Sequence, residues 1–395
     1  MQPLNPCELK IDLFCKGIRI SPQIAEFVQP TERIRSGLGS GIELTIPGKR
    51  ANVWLNAPAN EEFAASSPYL LNRNDKCLSG GERGDFQFEI LDERNQLRYP
   101  AKVQPDPGWY DEKTSSGLLM GQLGLLQGTF LSIYIGPVCR YWVQDAPENC
   151  CFCTTGLDEP RSSIAEKSVQ DVIETCQAAF FQSHVRFVLL NSGFQEGKGL
   201  QMALPFVKAI KTDTDLSVGL QLAPLRDWTQ YDELISLGVD HFSFCFEFMS
   251  EGAFTHYCPG KARTLGQEAF FEAMEYTSAK LGPGKVSGEI IAGVEPIEET
   301  LRAIDLVTEM GAFPLICVFR PLEGSGMQCY PSPFYEEIRE VAKYMSNRLI
   351  KRRIPASAMP KADFSLAIQP RDAFYLANRN LDYFVYRLYN RIRTA

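Results

Sequence analysis

Four of the chain's twelve cysteines, Cys139, Cys150, Cys151 and Cys153, fall within LSIYIGPVCRYWVQDAPENCCFCTTGL, residues 131 to 157. Thiolates are soft, strongly donating ligands, so cysteines at such spacing point to a metal or iron-sulfur centre. Cys150-x-Phe152-Cys153 is a tight chelating pair, and Cys139 stands eleven positions upstream across a loop that contains Asp145 and Pro147. Three thiolates from one loop can hold three irons of a 4Fe-4S cluster and leave the fourth open. Structural zinc is the competing chemistry. It requires a fourth ligand, from Cys151 or a distant residue, and a second Cys-x-x-Cys pair does not follow.

The elements that position these residues are legible around them. Leu131 to Ile135 is an apolar run of strand length that ends at Gly136-Pro137, and the cysteines follow in the loop after it. That is where α/β proteins place their chemistry. From residue 131 onward strand and helix patterns alternate. Extended runs are predicted at Val185 to Leu190, Leu216 to Leu222, His241 to Glu247, Val286 to Ile291 and Leu315 to Phe319. Helices are predicted at Ser162 to Phe181, Leu200 to Lys211, Trp228 to Leu237, Leu265 to Lys280, Ile297 to Met310 and Pro333 to Met345. Near-continuous apolar strands alternating with helices imply a parallel sheet covered on both faces. Six such units suit a partial (β/α)6 TIM-like barrel, open on one side.

Residues 1 to 128 have another texture. GIELTIP (41 to 47), ANVWLNA (51 to 57), DFQFEIL (85 to 91) and LRYPAKV (97 to 103) are short β-rich runs between Gly, Pro and Asn turns. They predict a mostly β accessory domain whose Cys7, Cys15 and Cys77 lack chelating spacing. The expected division is therefore 1–128 accessory domain, 129–347 partial barrel and 348–395 basic helical extension. In the extension, Arg371 to Arg393 predicts an amphipathic helix that buries a stripe of Leu381, Phe384, Val385, Leu388 and Ile392.

Composition bounds the class. The chain has 395 residues, 45% of them hydrophobic, with a formal charge of -8. It is long enough for a large core, and its acidity argues against general nucleic-acid binding. Residues 348 to 395 hold ten Lys or Arg against three Asp, a balance of +7, which leaves -15 on the rest. The expected partner of this basic segment is the acidic body itself. No apolar run approaches transmembrane length, and the first thirty residues carry Glu8, Lys10, Asp12 and Lys16 where a signal peptide would be apolar. A cytoplasmic location with reduced thiols is the expectation.

The loop cysteines, the segment Asn191-Ser192-Gly193-Phe194 after the second strand and GEIIAGVE (288 to 295) on the fifth together resemble the radical S-adenosylmethionine (SAM) superfamily, over about residues 131 to 345. The common family pattern puts three residues between its first two cysteines, whereas ten separate Cys139 from Cys150. Within the superfamily, SGEIIAGVEPIEETLRAIDLVTEMGAFPLICVFRPLEGSG is similar to the biotin synthase group. The segments at 258 to 262 (CPGKA) and 67 to 69 (SPY) are similar to the biotin-synthase-like proteins found with nitrilase gene clusters.

The resemblance implies that Cys139, Cys150 and Cys153 hold a 4Fe-4S cluster whose open iron binds SAM, and that a reducing partner such as flavodoxin or ferredoxin supplies an electron. SAM is then cleaved to a 5'-deoxyadenosyl radical that takes hydrogen from a small-molecule substrate. It further implies that Asn191, Ser192 and Gly193 receive the SAM amino group and that Phe152 borders the adenine, which packs at Gly293, Val294 and Glu295. Glu247 would bind ribose hydroxyls or the methionyl amine, and Arg263, with Lys261 as the alternative, would clamp the methionyl carboxylate. Plainer roles stand beside these: Gly193 and Gly293 as strand terminators, Glu295 as cap of the helix that follows, Arg263 as a solvated charge. Cleavage to a 3-amino-3-carboxypropyl radical, methyl transfer, and a non-catalytic iron-sulfur or zinc scaffold are the alternatives. A second cluster is not expected, because Cys245 and Cys317 are the only thiols predicted to face the barrel interior, where they read as small core residues. No residue pattern identifies the substrate or a catalytic side chain.

Overall fold

The computed structural model describes residues 2–28, 40–49, 51–74, 87–143, 147–158 and 167–394. Cys77 and Asp145 lie outside them, as do the first residues of the helix predicted from Ser162.

The chain opens with α1 (Pro6–Lys16), whose start is set by a reciprocal cap. The Asn5 side chain accepts from the Cys7 and Glu8 N–H groups, and Glu8 accepts from the Asn5 N–H. β1 (Arg19–Ile20), α2 (Ala25–Val28), β2 (Ile42–Ile46), β3 (Val53–Ala57), α3 (Glu62–Ala65), β4 (Tyr69–Arg73), β5 (Phe88–Asp92) and β6 (Leu97–Val103) follow. Their sheet runs β1-β4-β5-β6-β2-β3, parallel at β1–β4 and antiparallel elsewhere. All four β-rich runs read from the sequence hold strands here, the third from Phe88, its Asp85 and Phe86 lying outside the described residues. Cys7 and Cys15 are buried thiols of this region.

Next come α4 (Met120–Leu123), β7 (Leu125–Gln127), β8 (Phe130–Tyr134) and α5 (Thr155–Asp158), then α6 (Val169–Ser183), β9 (Phe187–Asn191), α7 (Gly199–Asp213), β10 (Ser217–Gln221), α8 (Trp228–Ser236) and β11 (His241–Glu247). α9 (Glu251–Tyr257), α10 (Pro259–Thr264), α11 (Glu268–Leu281), β12 (Val286–Ala292), α12 (Ile297–Glu309), β13 (Phe313–Val318) and α13 (Tyr335–Arg352) continue the alternation. β8 to β13 pair in chain order and in parallel, and β7 adds antiparallel to β8 at one edge. The α/β class is that expected.

One face of this sheet packs on helices. A Cβ on Gly288 would meet Val307 of α12 and Met274 of α11, so its neighbour Glu289 faces the opposite side. That opposite face carries Ser132, Asn191, Gln221, Ser243, Cys245, Glu289 and Cys317. The segment after α13 then spans the two outer strands. Ile368 and Ile316 exchange backbone hydrogen bonds at 2.8 and 3.1 Å, and the Thr129 N–H donates to the Asp363 carbonyl at 3.1 Å.

The tail departs from its predicted form. The single helix from Arg371 is broken into α14 (Pro370–Ala373) and α15 (Leu381–Thr394), and the stripe expected to be core faces outward. Leu381, Phe384, Val385 and Leu388 are 76, 58, 42 and 60% exposed. The reason is that Tyr386 is the residue turned inward, donating its hydroxyl to the Ile354 carbonyl at 2.8 Å, which rolls the apolar stripe to the far side. The side chain of Ile392 is outside the described set. Of the tail's basic residues, Arg348 and Arg352 pair with Asp305 and Glu309 of α12. No helix among the described residues is long and apolar enough to cross a membrane.

Candidate functional site

Cys139 begins the turn that follows β8. Its neighbour Arg140 donates its N–H to the Phe194 carbonyl at 3.0 Å, so the loop after β8 is bonded to the loop after β9. The Tyr141 ring stacks on Phe194 with centroids 4.6 Å apart and planes 4° from parallel, which fixes the same joint from its apolar side. Gly193 lies directly on Cys139: a Cβ there would stand 2.4 Å from the cysteine's Cβ and 2.9 Å from its Sγ. The Gly193 N–H is held by the Tyr134 hydroxyl at 2.8 Å.

Cys150 and Cys153 are joined by a turn, with the Cys153 N–H donating to the Cys150 carbonyl at 3.0 Å. Cys139 and Cys153 both sense Cys150. Burial raises the pKa of Cys139 and of Cys153, the latter to about 11, and a thiolate at Cys150 raises both further. Cys150 is the exception. Its pKa is lowered because Cys258 hydrogen-bonds to it, which outweighs burial, with Lys261 adding an attractive charge. Donors reach the other two sulfurs as well: backbone N–H groups of Tyr141 and Phe194 favour thiolate at Cys139, and the Thr155 N–H lies 3.5 Å from Cys153 Sγ. No three His, Cys, Asp or Glu side chains among the described residues gather around a single ion position. Cys151 diverges from the others, its N–H on the Tyr257 carbonyl at 2.8 Å and its thiol toward the His256 carbonyl at 3.7 Å.

Beside the thiols, β11 ends in a buried ion pair. Glu247 adopts φ +67°, a left-handed conformation uncommon for a residue with a side chain, after an irregularity in the β11–β12 register. Its carboxylate accepts from Lys261 of α10 at 2.8 Å, and Lys261 also donates to the Cys245 carbonyl at 2.8 Å. Burial depresses Lys261, but Glu247 and the thiols of Cys150, Cys258 and Cys245 outweigh it and hold its pKa well above the ordinary value.

The structure thus brings Cys139, Cys150, Cys153, Gly193, Glu247 and Lys261 to one end of the parallel sheet. Phe152 joins them, edge-on to Phe248 at 5.9 Å. Asn191 donates to Ser132 Oγ at 2.7 Å, and Ser192 to the Gly193 carbonyl at 3.0 Å. Gly293 (φ +93°) packs on Pro333, and Val294 borders the core. Glu295 is a cap, though of the helix that precedes it in sequence. Its oxygens accept from the Met249 and Ser250 N–H groups at 2.8 and 3.1 Å, at the start of α9. Arg263 is not brought to Glu247; it lies exposed and pairs with Glu148. Sequence reasoning missed Cys258 and Glu289, and had Lys261 only as the alternative to Arg263. Cys258 and Lys261 sit at the joint of α9 and α10, two short helices that were not predicted, although Ser250 followed by Glu251 was an available start signal. Neither Cys245 nor Cys317 is a sealed core residue: both retain exposure, and the Cys245 thiol donates to Glu289 at 3.3 Å.

No family model matches the chain. It is similar to the bacteriochlorophyllide c C-7(1)-hydroxylase of Chlorobaculum limnaeum, at 26% identity over 138 residues, which are 35% of this chain and 34% of that protein. The chain thus aligns with about a third of that relative's length. Among solved structures, methylornithine synthase is 15% identical, covering 65% of this chain and 80% of that one at a TM-score of 0.43. A radical SAM methyltransferase from Sphaerobacter thermophilus is 10% identical over 71% and 75%, at 0.42. The radical SAM methyltransferase TsrM from Kitasatospora setae, solved with cobalamin and a 4Fe-4S cluster, is 14% identical over 66% and 54%, at 0.38.

Proposed function

We propose that the chain is a radical SAM enzyme, in which Cys139, Cys150 and Cys153 hold a 4Fe-4S cluster and SAM lies between that cluster and the Glu247–Lys261 pair. One observation carries the reading: three thiols of a single loop, two of them within electrostatic reach of the third at Cys150 and all supplied with thiolate-stabilising donors, stand at the end of a parallel sheet beside a glycine whose missing side chain leaves room for Cys139. The chemistry of the donor set fits the group, since three soft anions leave one iron free for the amino and carboxylate groups of SAM. When bound and reduced by a flavodoxin- or ferredoxin-like partner, the cluster supplies the electron that cleaves SAM to methionine and a 5'-deoxyadenosyl radical.

The protein's own part is binding and enclosure. Cys258 and Lys261 favour the thiolate of Cys150, the state that ligates iron. Gly193 lets the β9 loop approach Cys139, and its neighbours Asn191 and Ser192 border the amino end of SAM. Lys261, rather than the exposed Arg263, is the cation placed for the methionyl carboxylate, and Glu247 receives ribose hydroxyls or the amine. Phe152, Gly293 and Val294 flank the adenine. Hydrogen is then taken from a small molecule held against the inner face of the sheet. The motif similarity favours the biotin-synthase-like subgroup, and reduced thiols favour work in the cytoplasm.

The test is anaerobic. Reconstituted, reduced protein is expected to bind about four irons per chain, absorb broadly in the visible as such clusters do, and convert SAM to 5'-deoxyadenosine. Cys139→Ala, Cys150→Ala and Cys153→Ala are each expected to lose both properties, and Cys151→Ala to keep them. Methylthioadenosine as the sole nucleoside product would move the assignment to aminocarboxypropyl transfer. A full cluster in Cys139→Ala would overturn the ligand set.

A further inference from the structure

Cys258 is outside the proposed ligand set, yet it is the thiol that the fold brings to Cys150. The joint of α9 and α10 runs antiparallel to the segment that carries the chelating pair. The Cys151 N–H donates to the Tyr257 carbonyl at 2.8 Å, and the Gly260 N–H donates to the Glu148 carbonyl at 3.1 Å. Counting inward from either bond sets Cys150 opposite Cys258 and Asn149 opposite Pro259. Pro259 has no N–H to donate to Asn149, so the register rests on the two outer bonds. Gly260 permits the approach, since a Cβ there would lie 2.6 Å from the Glu148 carbonyl oxygen and 2.6 Å from Tyr141 Cδ1.

Facing residues of antiparallel segments hold their α-carbons about 4.5–5.5 Å apart. A disulfide spans about 4.4–6.8 Å between α-carbons, so this register suits one. The two thiols are in hydrogen-bond contact, and both are buried, Cys258 at 0% and Cys150 at 8% exposure. The neighbouring cysteines are turned elsewhere. Cys151 points its thiol toward the His256 carbonyl, and the Cys153 thiol donates to Thr155 Oγ1 at 3.2 Å.

We propose that Cys150 and Cys258 form a reversible disulfide in the cluster-free chain, a modification that withdraws Cys150 from the ligand set and shields its sulfur from further oxidation. The oxidant is a small disulfide of the glutathione type. The Cys150 thiolate attacks one of its sulfurs and releases a first thiolate; Cys258 then gives up its proton and displaces the second from the mixed disulfide. Each released thiolate takes up a proton, so two cysteine thiols are oxidised while one small disulfide is reduced to two thiols. Iron takes a thiolate, and neither sulfur of a disulfide is one, so cross-link and cluster exclude each other. The pairing stands on the fold alone, whereas the loss of a ligand rests on the radical SAM reading.

The full chain, freed of metal and reductant, is exposed to oxidised glutathione, alkylated and digested without reduction. Mass spectrometry is expected to find the Cys150 peptide joined to the Cys258 peptide, with fragment ions placing the link. Two of the chain's twelve thiols should be lost, and dithiothreitol should restore both. Cys153→Ala is expected to keep the link, and Cys258→Ser to stop at a mixed disulfide of Cys150 with glutathione. Chain loaded beforehand with iron and sulfide is expected not to form it. A Cys150–Cys153 link in its place, or no link at all, would overturn the pairing. A link formed in iron-loaded chain with all of its iron retained would overturn the withdrawal of a ligand. A chain that takes up no iron yet forms the link would bear out the pairing while refuting both that withdrawal and the radical SAM reading.

Discussion

The α-carbon of Gly193 carries no side chain because Cys139 occupies the place where one would go, with Cβ to Cβ only 2.4 Å. The clash would fall on the cysteine's Cα as well, at 3.0 Å, so rotating the thiol cannot relieve it. Gly193→Ala is expected to push the two loops apart, lower stability by about 1–3 kcal/mol and reduce the iron retained after anaerobic reconstitution. Gly252→Ala is the control, because a Cβ there meets nothing within 4 Å. Equal iron in the two variants would separate Gly193 from the thiol site.

The Glu247–Lys261 pair is expected to show opposite effects of single and double substitution. Both side chains are largely buried, 11 and 17% exposed, and the Glu289 carboxyl lies near enough to Glu247 to be felt by it. Lys261→Met leaves a carboxylate unpaired there and is expected to cost about 3–5 kcal/mol in urea unfolding. Adding Glu247→Gln removes the orphaned charge and should recover most of that loss. A double variant no more stable than Lys261→Met would show that the pair is solvated rather than buried.

The repeating strands and helices were legible because burial on both faces writes itself as apolar runs; β11 begins and ends where its sequence run does. What escaped depends on contacts between distant segments. Glu289 stood inside a recognised phrase, but its partnership with Ser243 and Cys245 arises only from the register of β12 against β11. Cys258 looked like a loop thiol because its relation to Cys150 spans 108 positions and a helix joint. For α15 the 3.6-residue stripe was real, yet periodicity does not say which face meets the body. Tyr386, an amphipathic residue, took the inner position. The start of α1 was a missed signal of another kind, since Asn5, Pro6 and Glu8 spell a capping box without help from tertiary structure.

The buried imidazole of His241 gives a pH dependence with a worked sign. Burial, with the nearby Lys285 charge, holds its pKa at about 4 in the folded chain against about 6.5 unfolded, so the unfolded state binds the extra proton and stability is lost as pH falls through that interval. Replacing the ring by a side chain that does not titrate removes this contribution. The stability difference between wild type and His241→Asn is therefore expected to shrink by about 1.4 kcal/mol per pH unit between about pH 6.5 and 4. Parallel stability profiles for the two proteins over that range would show that His241 takes up its proton without unfolding.

Lys10 and Asp372 join the two ends of the chain inside the protein. Their side chains are 0 and 4% exposed, the ammonium donates to Asp372 at 2.7 Å and to the Phe364 carbonyl at 2.9 Å, and its charge lies 5.6 Å from the centre of the Phe14 ring. Asp372 serves α14 at the same time, closing its N-terminal capping box. Burial raises the Asp372 pKa, and Lys10 is the main influence holding it down. Lys10→Met is expected to leave that carboxylate stranded, at a cost of about 3–5 kcal/mol, while Lys10→Met with Asp372→Asn should regain part of it by removing the charge. Deleting residues 354 to 395 takes away both partners of Lys10, so the shortened chain should be rescued partly by Lys10→Met, the opposite of that substitution's effect in the full chain. The measurement is urea unfolding of the four variants beside wild type. If Lys10→Met in the full chain lies within about 0.5 kcal/mol of wild type, the range of an ordinary surface change, the N-terminal helix is not anchored by the tail.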